Sequence, residues 1–174
     1  MNERVECAAS IANDTSEPVV VWCETNDESA ALTKAIPDAI EVHGSQTPEQ
    51  KEDRIDAFLT GNARVMVTKP KLAGFGLNMQ HCSTTVFASI SHSYEQHYQA
   101  VRRFHRFGQT KQVTAHIVIS DTEKQIWANI KRKADDHDRL KREMSKAMAG
   151  AQRTSHKRIY TRTPEVTLPS FLSA

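Results

Sequence analysis

The chain lacks the loop Gly-x-x-x-x-Gly-Lys-Ser/Thr that wraps a triphosphate, and no acidic magnesium box follows an apolar strand. These absences exclude a self-sufficient nucleotide site. Cysteine is scarce: Cys7, Cys23 and Cys82 are scattered with no Cys-x-x-Cys pair, which excludes a disulfide framework and argues for reduced, idle thiols. No apolar run approaches the roughly 18 residues that cross a bilayer, and the first residues lack a signal-like apolar stretch. The expectation is a soluble, cytoplasmic protein with no membrane partner. Glycine and proline, six each, are too few and too dispersed for a low-complexity tract, and no internal repeat is visible.

At 174 residues there is room for one domain with a real core, plus a tail. The formal net charge of +2 hides an asymmetry. Residues 1–60 hold four Lys/Arg against thirteen Asp/Glu, whereas residues 61–174 hold nineteen against eight. A basic surface confined to one part of a chain suits phosphate neutralisation, although pairing between the two halves would produce the same counts.

Apolar Val5, Ala8, Ala9 and Ile11 fall at helical spacing, so residues 1–17 read as a lead-in containing the end of a helix. Val19 to Cys23 follows Pro18 as a β-branched apolar run and reads as a buried strand. Thr25 and Glu28 suggest a capping box for a helix with Ala31, Leu32, Ala35 and Ile36 on one side, stopped by Pro37. Ile40 to Val42 gives a second strand. Thr47-Pro48-Glu49-Gln50 opens a helix burying Ile55, Phe58 and Leu59. Arg64 to Thr68 and Thr84 to Ala88 give two more strands, Ser93 and Gln96 another capping box, and Val113 to Ile119 a fifth strand. Strands alternating with helices predict an α/β domain over residues 18–120 with a mostly parallel sheet and its function at the strands' carboxyl ends. A long helix is expected over 121–150, ending at Gly150, and an extended tail over 151–174 whose Leu168, Phe171 and Leu172 could dock on a neighbouring surface.

In Gln99-Ala100-Val101-Arg102-Arg103-Phe104-His105-Arg106-Phe107-Gly108-Gln109, the positions Gln99, Arg103 and Arg106 sit at i, i+4 and i+7 and share one face of a helix. Two guanidiniums aimed the same way repel each other unless an anion lies between them, and phosphate is the natural candidate. A solvated basic face is the plainer reading of such a stripe. Gly74 and Gly76 permit close backbone approach and Asn78 can hydrogen-bond a loop, although Gly-x-Gly-x-Asn alone is more often a turn. Thr68, Lys69 and Lys71 stand at one strand's carboxyl end, and His43, Gly44 and Ser45 at another. Trp22 reads first as core. Asp27 and Glu28 read as the acidic first turn of a helix, not a magnesium box, and His81, Cys82, His92 and His97 lack zinc spacing, so no metal site is assigned.

The arginine segment resembles the Gln-x-x-Gly-Arg-x-x-Arg motif VI of superfamily-two helicases, and its ending His105 to Lys111 is similar to the Swi/Snf-type ATPase branch. Ala73-Gly74-Phe75-Gly76-Leu77-Asn78 resembles motif V of that branch. Arg102 stands where the general pattern has glycine, a position at which the branch accepts larger residues. The similarity runs from about Val19 to Ile119, and the pattern is most like the short bacteriophage and prophage members. The resemblance implies a RecA-like, three-layer domain that is the second of two in an ATP-dependent DNA helicase or translocase. It implies that Arg103 and Arg106 act as arginine fingers with Gln99 orienting them or the water, and that Gly74, Gly76 and Asn78 couple nucleotide to DNA. It further implies that Thr68, Lys69, Lys71, His43, Gly44 and Ser45 face the DNA backbone. ATP and Mg2+ would be held mainly by a first RecA-like domain, on the same polypeptide or a separate subunit, with double-stranded DNA as the other partner in a bacterial or phage-infected cell. The isolated chain should be inactive. The alternative is a non-catalytic DNA-binding or protein-docking module that keeps the fold.

Overall fold

The computed structural model describes residues 2–75 and 78–154. The elements, in chain order, are α1 (Asn2–Asn13), β1 (Val19–Trp22), α2 (Asn26–Ala35), β2 (Ala39–Val42), α3 (Pro48–Leu59), β3 (Val65–Thr68), a 3-10 segment (Pro70–Phe75), β4 (Thr84–Phe87), α4 (Tyr94–Arg102), β5 (Thr114–Ile117), a 3-10 turn (Asp121–Glu123) and α5 (Lys124–Thr154). All neighbouring strands are parallel, in the order β2-β3-β1-β4-β5. This is the mostly parallel sheet the alternation of strands and helices predicts. Among the described residues, 2–135 belong to one compact unit and 136–154 to a second.

Period-two alternation divides the apolar strands between two faces. Val19, Val21, Val65, Val67 and Val86 pack against Val5, Ala8, Ala9, Ala12, Leu32 and Ile36 of the α1–α2 side. On the other face Val20, Trp22, Met66 and Phe87 meet Phe58 of α3, Ala100 of α4, Phe104 and Ile130 of α5. The α1 residues expected in a lead-in are therefore part of the core, because their small side chains let the helix sit close over β1 and β4. Trp22 is fully buried, its indole Nε1 donating to Thr85 Oγ1 at 2.7 Å.

Local capping explains where helices begin. Thr47 and Gln50 form the complete reciprocal box, with Pro48 in the first turn of α3. Thr25 caps α2 by accepting from the Glu28 amide, but the Glu28 carboxylate does not return to Thr25. It accepts instead from Ser89 Oγ at 2.7 Å and the Glu24 amide at 3.3 Å, with Arg4 Nη1 at 3.7 Å, since charge-assisted partners inside the fold outcompete the local one. Ser93 caps α4 in the same one-sided way, while Gln96 Oε1 accepts from Ser91. Phe58 is buried and Ile55 half-buried, but Leu59, expected in the core, is 39 % exposed, because α3 ends there and the chain reverses through Gly61 at φ 81°.

At the amino ends of the strands, Arg64 Nη1 donates to the carbonyls of Ala12 and Thr15, closing the carboxyl end of α1. Lys111 and Glu17 pair at 2.6 Å on the same edge. The long helix does not stop at Gly150 but continues to Thr154. Its stretch beyond residue 136 carries exposed Leu140, Met144 and Met148 among charged residues. The expected docking residues Leu168, Phe171 and Leu172 lie outside the described residues.

Candidate nucleotide and nucleic-acid interface

Because every strand is parallel, the segments after β1, β2, β3 and β4 all leave from one edge of the sheet. After β2, His43 Nδ1 and Ser45 Oγ lie 2.8 Å apart and Gly44 is exposed, with open space where a Cβ would stand. Gln46, which sequence reasoning missed, is buried and builds this loop: its Oε1 accepts from the His43 amide and its Nε2 donates to the Glu41 carbonyl. After β3, Lys69 Nζ donates to Asn26 Oδ1 at 2.7 Å and Lys71 is exposed. Thr68 differs from its two neighbours. It is 3 % exposed and its hydroxyl donates to the Val42 carbonyl at 2.9 Å, tying β3 to β2.

Beside these loops Glu24 is half-buried, with Oε1 enclosed and without a hydrogen-bond partner. Burial pushes its carboxyl up from the ordinary 4.5, against the pull of Lys71. Gly74 lies in the 3-10 segment, Gly76 is outside the described residues, and the exposed Asn78 accepts from the Gln80 amide at 3.3 Å.

The arginine segment departs from the expected helix. α4 ends at Arg102, Arg103 is its cap, and Arg106 lies beyond it, so Gln99, Arg103 and Arg106 do not form a helical stripe. The cause is Phe104, which is fully buried and meets Trp22 edge-on at 6.4 Å; drawing this ring into the core takes the chain out of helical register. The turn nevertheless gathers the polar groups. Gln99, Arg102, Arg103, His105 and Arg106 line one cleft of about 210 Å³ that has no carboxylate in its lining. Arg103 Nε is buried without a hydrogen-bond partner. Arg102, one position off the predicted stripe, belongs to the cleft, with its guanidinium 5.8 Å from the Tyr98 ring centre.

Arg102 and Arg106 are exposed and Arg103 is half-buried, so the cleft concentrates positive charge at a water-facing surface. Larger is an apolar hollow of about 420 Å³ between α3 and the sheet, lined by Trp22, Ile55, Leu59, Met66 and Met79 among others, which has no such chemistry. Among the described residues no three His, Cys, Asp or Glu side chains converge as metal ligands, and no helix is long and apolar enough to cross a membrane.

The profile of the helicase conserved C-terminal domain matches residues 3–108, which span the sheet, the strand-end loops and the arginine turn. The chain belongs to this family. The helicase C-terminal domain here is 28 % identical over 106 residues to the ATP-dependent RNA helicase eIF4A of Yarrowia lipolytica, a match covering 59 % of this chain and 26 % of that protein. The chain thus corresponds to about a quarter of that relative's length. Among solved structures, the C-terminal part of the Fun30 ATPase domain superposes with a TM-score of 0.63 at 22 % identity, covering 72 % of this chain and 43 % of that one. The C-terminal domain of the DEAD-box protein Dbp5 superposes at 0.65 with 16 % identity, covering 78 % and 81 %. These likenesses establish the RecA-like fold, and the family rests on the matched helicase C-terminal profile.

Proposed function

We propose that this chain is the second motor domain of a Swi/Snf-type, DNA-dependent ATPase of the short phage kind, completing an ATP site whose other half belongs to a first RecA-like domain. The observation that carries the proposal is the cleft of Gln99, Arg102, Arg103, His105 and Arg106, with no carboxylate in its lining. In the assembled protein, closure of the two domains brings Arg103 and Arg106 to the γ-phosphate. Their guanidiniums stabilise the charge that spreads over the phosphoryl oxygens as the bond to the leaving group lengthens, and Gln99 orients an arginine or the attacking water. Mg2+, when bound, would neutralise phosphate charge from the first domain; the donors here are cations and amides, which do not suit a metal.

Lys69, Lys71 and the His43-Gly44-Ser45 loop share the strand-end edge and would take the DNA backbone, while Gly74, Gly76 and Asn78 lie between them and the arginines in sequence. Opening and closing the cleft with each hydrolysis would then step the protein along duplex DNA. The ending His105 to Lys111 supports the Swi/Snf branch and hence DNA. RNA is the second reading, favoured because the 28 % identical relative is an ATP-dependent RNA helicase. A non-catalytic DNA-binding or docking module is the rival of a different class.

One experiment separates the three. The chain is joined to a first domain bearing the missing phosphate loop, and ATP hydrolysis is measured alone, with duplex DNA and with RNA. Stimulation by duplex DNA is expected, with no turnover by the chain alone. Stimulation by RNA only would replace the substrate, and no turnover in any pairing would favour the docking module.

A further inference from the structure

The turn from Arg103 to Arg106 is pinned at both ends to the same short loop. At its start, the Arg103 carbonyl accepts from the Met79 amide at 3.2 Å. At its end, the Arg106 carbonyl accepts from the Gln109 amide at 3.0 Å. The Gln109 side chain then reaches back to that loop, with Nε2 donating to the Gln80 carbonyl at 2.9 Å and to the Cys82 carbonyl at 3.1 Å. Its Oε1 accepts from the Lys111 amide at 2.9 Å, so both donors and one of the two acceptor positions of this amide are occupied. Gly108 makes the reversal possible. Its φ of 99° is open to glycine, and a Cβ there would stand 3.1 Å from Gln80 Oε1.

Each of these bonds competes with water at a half-exposed surface, so their sum contributes little to global stability. What they define is geometry: the backbone of both arginines is referenced to residues 79–82, directly at Arg103 and through Gln109 at Arg106. Residues 79–82 follow the glycine-containing segment proposed to couple nucleotide to DNA.

We propose that Gln109 is a positioning residue, a strap that transmits the placement of loop 79–82 to the anion-facing guanidiniums of Arg103 and Arg106. The inference rests on the anion-binding reading of the cleft. When the loop holds its place, the strap sets the separation of the two arginines; when the loop shifts, both carbonyl anchors shift with it and the cleft loses its grip on the triphosphate. Gln109 itself touches no phosphate.

The test uses the 174-residue chain and inorganic tripolyphosphate as probe, with NMR reading the Arg103 and Arg106 Nε–Hε resonances and amide hydrogen exchange reading Met79. Gln109→Glu keeps the acceptor for Lys111 but loses both donors, and Gln109→Met keeps length without charge or donors. Both variants should move the two arginine resonances, speed exchange at Met79 by about five- to tenfold and weaken tripolyphosphate binding severalfold, with the exchange of Val20 and Val86 unchanged. Unchanged Met79 exchange and arginine resonances in either folded variant would overturn the strap, and an effect confined to Gln109→Glu would reduce it to added charge. If the wild-type chain shows no arginine response to tripolyphosphate, the cleft reading fails, whereas the Met79 exchange still decides whether Gln109 holds the turn.

Discussion

The two faces of the sheet are filled with different materials. The α1–α2 face is a layer of valine and alanine with Leu32 and Ile36, small side chains that hold helices close. The opposite face is built from Trp22, Phe58, Phe87 and Phe104, with His97 against Phe87 at 4.4 Å and His81 against Phe58 at 5.0 Å. The arginine turn hangs from that aromatic face through Phe104, so packing there is expected to place the arginines, whereas packing on the aliphatic face is expected to act mainly on stability.

The largest expected effect asks whether the aromatic face delivers catalysis. In the two-domain assembly, Arg103→Ala or Arg106→Ala should lower kcat on the order of a thousandfold with the fold and most DNA affinity intact. Arg→Lys should rescue poorly, because an ammonium lacks the planar fork. Arg102→Ala should cost less, since Arg102 also rests on Tyr98; equal losses at Arg102 and Arg103 would mean that the cleft works as one undivided anion site.

Next is a matched pair of core truncations. Phe104→Ala should destabilise by about 3–5 kcal/mol and Leu32→Ala by about 2–5 kcal/mol in denaturant titrations. Only the first should also shift the Arg103 and Arg106 resonances at temperatures where both variants remain folded. If Leu32→Ala shifted them equally, the division between faces would be false.

Acid should find the aromatic face first. Burial lowers the folded-state pKa of both His97 and His81 below the ordinary 6.5. The unfolded chain therefore binds more protons as pH falls below 6.5, so the stability that the neutral rings contribute is fully present above 6.5 and declines as pH drops toward the lowered folded values. His97→Phe should flatten the pH dependence of the unfolding midpoint between pH 7 and roughly 5; an unaltered profile would remove His97 from it.

The smallest effect lies on the exposed rim. Lys69→Ala with Lys71→Ala should reduce the salt slope of DNA binding by roughly one or two units, and an unchanged slope would take this loop off the DNA path.

Much of the fold was legible because its signals are local. β-branched runs located the strands, and Thr47, Pro48 and Gln50 opened α3 where expected. What sequence periodicity missed was decided by tertiary partners. Phe104 ended α4 because it packs on Trp22, 82 residues away in the chain yet adjacent in space, a contact that no window of the sequence displays. For the same reason Thr68 turned inward to β2, and Glu28 answered Ser89 in place of Thr25. At the site, the group of Gln99, Arg103 and Arg106 was found by a helical register that the chain does not follow. Arg102 and His105 join it because a tight turn presents neighbouring positions that a helix would separate. Gln109 and Gly108 stood in the quoted motif, but nothing in their spacing indicates that they tie back to residues 80–82.

Gly108 is surface-exposed and fills no cavity, so a screen that selects for folded, soluble protein would register its replacement as a modest backbone penalty of about 1–2 kcal/mol. A screen for turnover would see a position where every side chain fails alike. Setting the two maps side by side, residue by residue, would let the gap at Gly108 mark the strap without any structure at hand, and the same gap would distinguish a working motor domain from a descendant that kept the fold after losing the chemistry.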